Sequence, residues 1–272
     1  MPELGEVEHN RRIWAASRGE RVAEARVDED SRLYRDTDPA ALAREIPGRV
    51  LAEALAHGKQ MLFRFGDDGW LGVHLGMTGH LLRLPRADYE EDRHDHLALF
   101  TKGHALVFRD TRHFGKLTWE TSAAPPSWWQ QLPPQVLDAA FDRKRLRAIL
   151  ERRAGTPLKP LLLQQEFFPG VGNWMADEIL WRAALHPERR AGDLDEEERK
   201  HLYRELREVC RGALRVFGED PGQRPPRGWL FPHRWKDGGT CPRTGAPLAR
   251  IQVGGRTTCY CPARQGEAPG EA

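Results

Sequence analysis

The stretch QEFFPGVGNWMADEIL, residues 165–180, decides how the second half of the chain is read. Helical spacing of apolar residues runs up to Phe168, breaks at Pro169-Gly170-Val171-Gly172, and resumes at once from Asn173. Proline stops a helix, and glycine permits a tight turn and close backbone approach. Asn173 is expected as the N-cap of the new helix. N–H groups exposed at a helix start behind such a turn hold an anion, and apposed helices joined this way can grip a DNA phosphate. On these residues alone, an ordinary helix connection without a ligand stays open.

The neighbouring segments extend the helical reading. FDRKRLRAILERRAG, PLKPLLLQQEFF, NWMADEILWRAAL and DEEERKHLYRELREVCRGALRVFG all carry helical periodicity, the last with Asp195 near its start and Gly218 near its end. Upstream, from Arg21 to about Trp119, the period changes. RVAEARV, RVLAEALAHG, QMLFRF, WLGVHLGM, HLALF, ALVFRD and KLTW are short apolar runs divided by turn signals such as GDDG and TKGH. They predict a β-rich sandwich or barrel, interrupted by a short helix in DPAALAREI, residues 38–46. A first helix over residues 3–18 carries Leu4, Val7 and Trp14 on one face. The proline-rich TSAAPPSWWQQLPPQ, residues 121–135, marks the domain boundary.

With 272 residues there is room for about two domains. A hydrophobic content of 39% with nine tryptophans supports a packed core. No apolar run approaches the roughly 18 residues of a membrane span. Glu3, Glu6 and Glu8 occupy the place where a secretory leader carries its basic residues, so a cytoplasmic protein is expected. Cys210, Cys241, Cys259 and Cys261 are too few and too clustered for a disulfide scaffold.

The net charge of +2 hides a local asymmetry. From Arg224 to Arg264 eight arginines and lysines face Asp237 alone, a balance suited to a phosphate-binding surface. Trp229, Phe231, Trp235 and Tyr260 are interleaved, which favours a small folded module over a solvated tail. Within it, CPRTG…GGRTTCYCPARQ, residues 241–265, has the outline of a zinc-ribbon hairpin. A four-cysteine site needs Cys-x-x-Cys twice. Here Thr244 stands three residues after Cys241, Arg264 stands three after Cys261, and Cys259 and Cys261 are poorly spaced for chelation. Cys241 and Cys261 are residual ligands only if zinc is bound. The expectation is a hairpin without metal and no required cofactor, with Arg256 at its tip.

Three other places carry candidate chemistry. Met77, between glycines in GWLGVHLGMTGHLL, suits an apolar wedge in a base stack, with a core methionine as the alternative. Arg112, His113 and Phe114, together in FRDTRHFGKLTW, could fill a gap in a duplex, the ring stacking and the guanidinium pairing. Lys59 follows a glycine at a strand start and could steer a phosphate. The N-terminal MPELGEVE is a well-formed helix start, with proline and acidic residues in the first turn. Once Met1 is removed, Pro2 also becomes a free secondary amine beside carboxylates, which suits Schiff-base chemistry.

These pieces, in this order, resemble the formamidopyrimidine-DNA glycosylase / endonuclease VIII family. Its Pro-Glu-Leu-Pro-Glu-Val-Glu is matched by Pro2 to Glu8, with Gly5 for the internal proline. Its His-Leu-Gly-Met-[Ser/Thr]-Gly is met by His74 to Gly79, and its Asp-Pro-Arg-Arg-Phe-Gly by Asp110 to Gly115, with Thr111 and His113 as departures. Its Gly-Val-Gly-Asn is met by Gly170 to Asn173, and its finger ending by Gly255 to Gln265. The implied fold is α+β and multidomain: an N-terminal β-sandwich with flanking helices (residues 1–122), a central helix–two-turn–helix domain (135–220) and a C-terminal β-hairpin finger (221–272).

The resemblance implies a bifunctional DNA glycosylase and β,δ-lyase of base excision repair. Its partner would be double-stranded DNA with oxidised bases or abasic sites, and a monomer is expected. The base flips out of the duplex, at least cost where pairing is already poor. Pro2 attacks the sugar, Glu3 relays protons, Glu6 supports the site and Lys59 grips a phosphate. Met77, Arg112, His113 and Phe114 meet the vacated stack. Asn173, Arg256 and Lys159 contact DNA. Lesion choice falls to an idiosyncratic loop within 218–234. A catalytically silent damaged-DNA binder of the same fold is the alternative, and a zinc-organised nucleic-acid module is a third.

Overall fold

A computed structural model of the chain describes residues 1–219, 222 and 224–267. By its internal contacts the chain divides after Leu132 into two compact units, where the sequence reading has three domains. The hairpin shares one unit with the helices because it packs directly on one of them. Residues 220, 221 and 223 of the expected lesion loop, and the tail from 268, lie outside the described residues.

The first unit is the expected β-sandwich. One sheet has the order β1 (Glu24–Val27), β6 (Asp95–Phe100), β7 (His104–Arg109), β5 (His80–Pro85). The other runs β2 (Leu51–His57), β3 (Gln60–Phe65), β4 (Gly69–His74), β8 (Lys116–Thr121). All neighbours are antiparallel. The apolar runs supply seven of these strands. β5 is the one they miss, because its His80-Leu81-Leu82 start reads as the end of the Met77 loop.

Helices cover the sheet edges, which otherwise leave unpaired backbone groups. Helix α1 (Leu4–Ala15) lies against the edge strands β5 and β2. Asn10 Oδ1 accepts the Leu81 N–H at 2.6 Å, and the Trp14 indole N–H donates to the Leu82 carbonyl at 3.0 Å. Helix α2 (Pro39–Glu45), capped by Asp38, packs on β1 and β8, and the Trp119 indole donates to Glu45. Between the sheets, Trp14, Leu42, Ile46, Phe63, Phe65, Leu99 and Phe108 are buried. Each such side chain contributes about 1.5–3 kcal/mol on leaving water. A four-residue helix, α3 (Ser127–Gln130), closes the unit.

The second unit holds α4 (Arg143–Arg152), α5 (Leu158–Leu162), α6 (Asn173–Ala183) and α7 (Glu196–Phe217), then β9 (Ala249–Val253), β10 (Arg256–Tyr260) and α8 (Pro262–Gln265). α7 begins at a capping box between Asp195 and Glu198. The helix expected to run into Pro169 stops at Leu162. The ten residues between α5 and α6 are turns, tied by one side chain: Gln165 donates to Leu163 and Val171 carbonyls and accepts from the Gly170 N–H.

Candidate functional site

The start of α1 gathers the candidate reagents. Glu3 is the N-cap, only 3% exposed, and Glu6 returns its carboxylate to the Glu3 N–H at 3.2 Å, completing a capping box. Asn10 holds the Glu6 carbonyl from the next turn. Pro2, half-buried, precedes this box. Lys59 lies in the two-residue turn joining β2 and β3, with Gly58 at φ +59°. Its Nζ reaches the Met1 sulfur at 4.0 Å, so the ammonium sits at the chain terminus. Pro2, two carboxylates and a cation thus gather at the start of α1.

His74 ends β4, and its Nδ1 accepts the Gly76 N–H at 3.1 Å. Burial, then the charges of Lys59, Arg35 and Lys116, drive its pKa down to about 4. The ring is neutral at neutral pH inside a positive environment, which suits a phosphate. The sequence reading quotes His74 as a motif residue without assigning it a role.

Two loops present the candidate wedges side by side. Gly76 has φ +63°, and a Cβ there would lie 2.3 Å from the Phe114 carbonyl carbon, so the loops touch backbone to backbone. Asp110, fully buried, joins them: it accepts from Thr78 Oγ1 at 2.5 Å, the Arg112 N–H at 3.2 Å and the Gly115 N–H at 2.8 Å. Burial raises the Asp110 pKa, but these donors outweigh it and hold the carboxyl below its ordinary range. Met77 and Phe114 point outward, 36% and 45% exposed. Arg112 and Arg32 place guanidiniums 4.9 and 5.7 Å from the Phe114 ring centre. Arg32 also donates to the carbonyls of His113 and Arg112. His113 takes φ +56°, and its ring meets the buried His96 edge-on at 4.4 Å. Thr78 and Asp110 belong to quoted motifs without an assigned role, and Arg32 lies outside every quoted motif.

In the second unit the N-cap of α6 is Gly172, in extended conformation, and Asn173 is already the first helical residue. Its side chain is therefore released from capping and donates to the Thr257 carbonyl at 3.0 Å, tying the helix start to the hairpin. Gly254 and Gly255, both at positive φ, make the two-residue hairpin turn that such conformations favour. Arg256 follows it, exposed. Lys159 takes a different place from the one expected. It is fully buried, its Nζ on the Asn173 carbonyl at 2.6 Å and on Asp177, so it cannot reach a phosphate at the surface. Asp177 also accepts from Arg234 and from the Cys259 N–H.

Around the zinc-ribbon outline the donor set does not fit a metal. Two thiols, a hydroxyl and a guanidinium stand where four thiolates are needed, and a guanidinium has no lone pair to give. Among the described residues, no group of three or more His, Cys, Asp or Glu is placed to hold an ion. The hairpin packs instead around Trp181 of α6, with Leu230, Cys241, Cys259 and Cys261. Trp235, expected to help hold it, is 55% exposed. Among the described residues, no helix is long and apolar enough to cross a membrane.

Residues 1–117 match the model of the formamidopyrimidine-DNA glycosylase N-terminal domain, and residues 132–220 that of the formamidopyrimidine-DNA glycosylase H2TH domain. A formamidopyrimidine-DNA glycosylase of Thermus thermophilus is 38% identical, covering 99% of this chain and all of its own. One from Geobacter metallireducens is 36% identical, covering 96% and 98%. Among solved structures, the Lactococcus lactis protein bound to N7-benzyl-Fapy-dG DNA superposes with a TM-score of 0.86 at 28% identity, over 98% of this chain and all of that one. Its complex with DNA containing an abasic site scores the same at 27% identity, over 97% of this chain. The chain belongs to the formamidopyrimidine-DNA glycosylase family.

Proposed function

We propose that this protein excises oxidised bases from duplex DNA and cleaves the strand at the resulting abasic site, in base excision repair. The observation that carries this reading is the meeting of the chain terminus, the Glu3–Glu6 capping box and the Lys59 ammonium. After Met1 is removed, the Pro2 amine attacks C1′ of the sugar and the base leaves. The resulting iminium ion is the electron sink for β- and δ-elimination of the flanking phosphates. An α-amino group titrates near 7.7–8.0, so roughly a tenth of it is unprotonated at neutral pH, far more than of a lysine side chain. Glu3 is the proton relay, and Glu6 positions it through the helix start. Lys59 meets the lesion's phosphate. Met77, Arg112 and Phe114 take the place of the extruded nucleotide, with His113 shaping the loop. Asn173 and Arg256 grip flanking phosphates, and Lys159 positions Asn173 from beneath. The hairpin does this without zinc.

Borohydride trapping tests the reading. Incubation with duplexes containing oxidised guanine, formamidopyrimidine, an oxidised pyrimidine or an abasic site yields a covalent protein–DNA adduct through Pro2. No adduct on any of the four would refute it, and retained Met1 by mass spectrometry would favour a silent binder.

A further inference from the structure

The residue at the fourth expected ligand position makes the most specific contacts of the finger. Arg264, in α8, donates from Nε to the Trp181 carbonyl at 2.7 Å and from Nη2 to the Arg182 carbonyl at 2.8 Å. These carbonyls belong to the last turn of α6, where the macrodipole favours a cation; that of Trp181 also accepts the Ala184 N–H at 3.2 Å. The same guanidinium lies 5.6 Å from the Trp181 ring centre, and that of Arg243 lies 4.8 Å from it. The Trp181 indole N–H donates to Cys241 Sγ at 3.3 Å. Thr244 Oγ1 bonds Cys261 Sγ at 3.6 Å. Gln265 accepts the Cys261 N–H and donates to the Leu185 carbonyl, both at 2.8 Å. Every position of the four-ligand pattern thus has a partner that is not a metal, and the fixed charge of Arg264 would repel a dication.

We infer that Arg264 is a positioning residue that replaces the metal: it ties the finger to the C-terminal turn of α6 and so holds Arg256 where duplex DNA can use it. This rests on the reading that Arg256 grips DNA from a metal-free hairpin. Arg264 is eight residues from Arg256, at the far end of the same strand and short helix. The tie therefore restrains the base of the hairpin while Gly254 and Gly255 shape its tip.

The test compares the wild type, Arg264→Ala and the double variant Thr244→Cys/Arg264→Cys, each with added zinc and with a chelator. Zinc content and steady-state cleavage of an abasic-site duplex are measured. The wild type is expected to be zinc-free and indifferent to both additions. Arg264→Ala raises KM about tenfold, the equivalent of one lost charge-assisted hydrogen bond, and leaves kcat near wild type because the Pro2 site is built in the other unit. The double variant behaves like Arg264→Ala without zinc, binds one equivalent when offered, and recovers the wild-type KM until chelated. A wild-type KM in Arg264→Ala would overturn the proposal, as would a zinc-loaded double variant whose KM stays raised. Stoichiometric zinc in the wild type would instead overturn the metal-free reading beneath it, and a wild type that cleaves nothing would overturn the enzymatic one.

Discussion

Asp177→Asn isolates the charge that assembles the second unit. The wild-type carboxylate is 1% exposed. One oxygen accepts from Lys159, and the other accepts from Arg234 Nε at 3.1 Å and from the Cys259 N–H at 3.1 Å. Lys159 is fully buried and Arg234 is 6% exposed, so two cations depend on one anion away from water. Asparagine keeps the volume and an acceptor but not the charge. Removing one partner of a buried ion pair costs about 3–5 kcal/mol, mostly the penalty of the charges left behind. For a domain of roughly 150 residues each kcal/mol is worth about 2–4 °C in Tm, so a fall of about 10 °C is expected. Far-ultraviolet circular dichroism follows it, since α6 and α7 lie in this unit. The same substitution frees the Cys259 end of β10, so duplex affinity falls with stability. An apolar replacement of the whole cluster, Lys159→Met/Asp177→Leu/Arg234→Met, should melt near the wild type, because it leaves no unpaired charge. Asp177→Asn within about 1 kcal/mol of wild type would refute this account, for it would mean that both cations are compensated elsewhere.

Three further outcomes are expected. The folded pKa of His74, about 4, lies below the ordinary 6.5, so the unfolded chain takes up the proton first and stability falls as pH drops through that window. The slope is at most about 1.4 kcal/mol per pH unit, and His74→Gln should flatten it in urea unfolding between pH values of about 7 and 4; an unchanged slope would remove the assignment. Gly76→Ala must move the Phe114 backbone and adopt a left-handed conformation, at a cost of about 1–3 kcal/mol; base-excision kcat/KM should fall about tenfold, and wild-type kinetics would show that the two loops need not touch. An N-terminal extension that keeps Pro2 acylated should abolish the borohydride adduct and leave duplex affinity intact, and an adduct of normal yield would point to another nucleophile.

What the sequence reveals and what it hides follow from the range of the interactions. The start of α7 at Asp195, its end at Gly218 and the seven expected strands depend on residues a few positions apart, and all are found where the pattern puts them. Asn173 shows the limit of such rules: Gly172, in extended conformation, takes the capping place one residue earlier, and that shift turns the Asn173 amide toward Thr257. Lys159 fails differently. In PLKPLLL it looks like any surface lysine, and its burial is offset by Asp177, one helix later, and by the Asn173 carbonyl. Trp181 reads as one more apolar position on a helix, because the cysteines and arginines that surround it are some 60 to 80 residues away. The candidate reagents are therefore spelled out in short motifs, while supports such as Arg32, Asp177 and Arg264 are defined by distant partners. The finger illustrates why: its motif records two missing thiols, but the substitute we propose is a contact between α8 and the end of α6, and a contact has no motif.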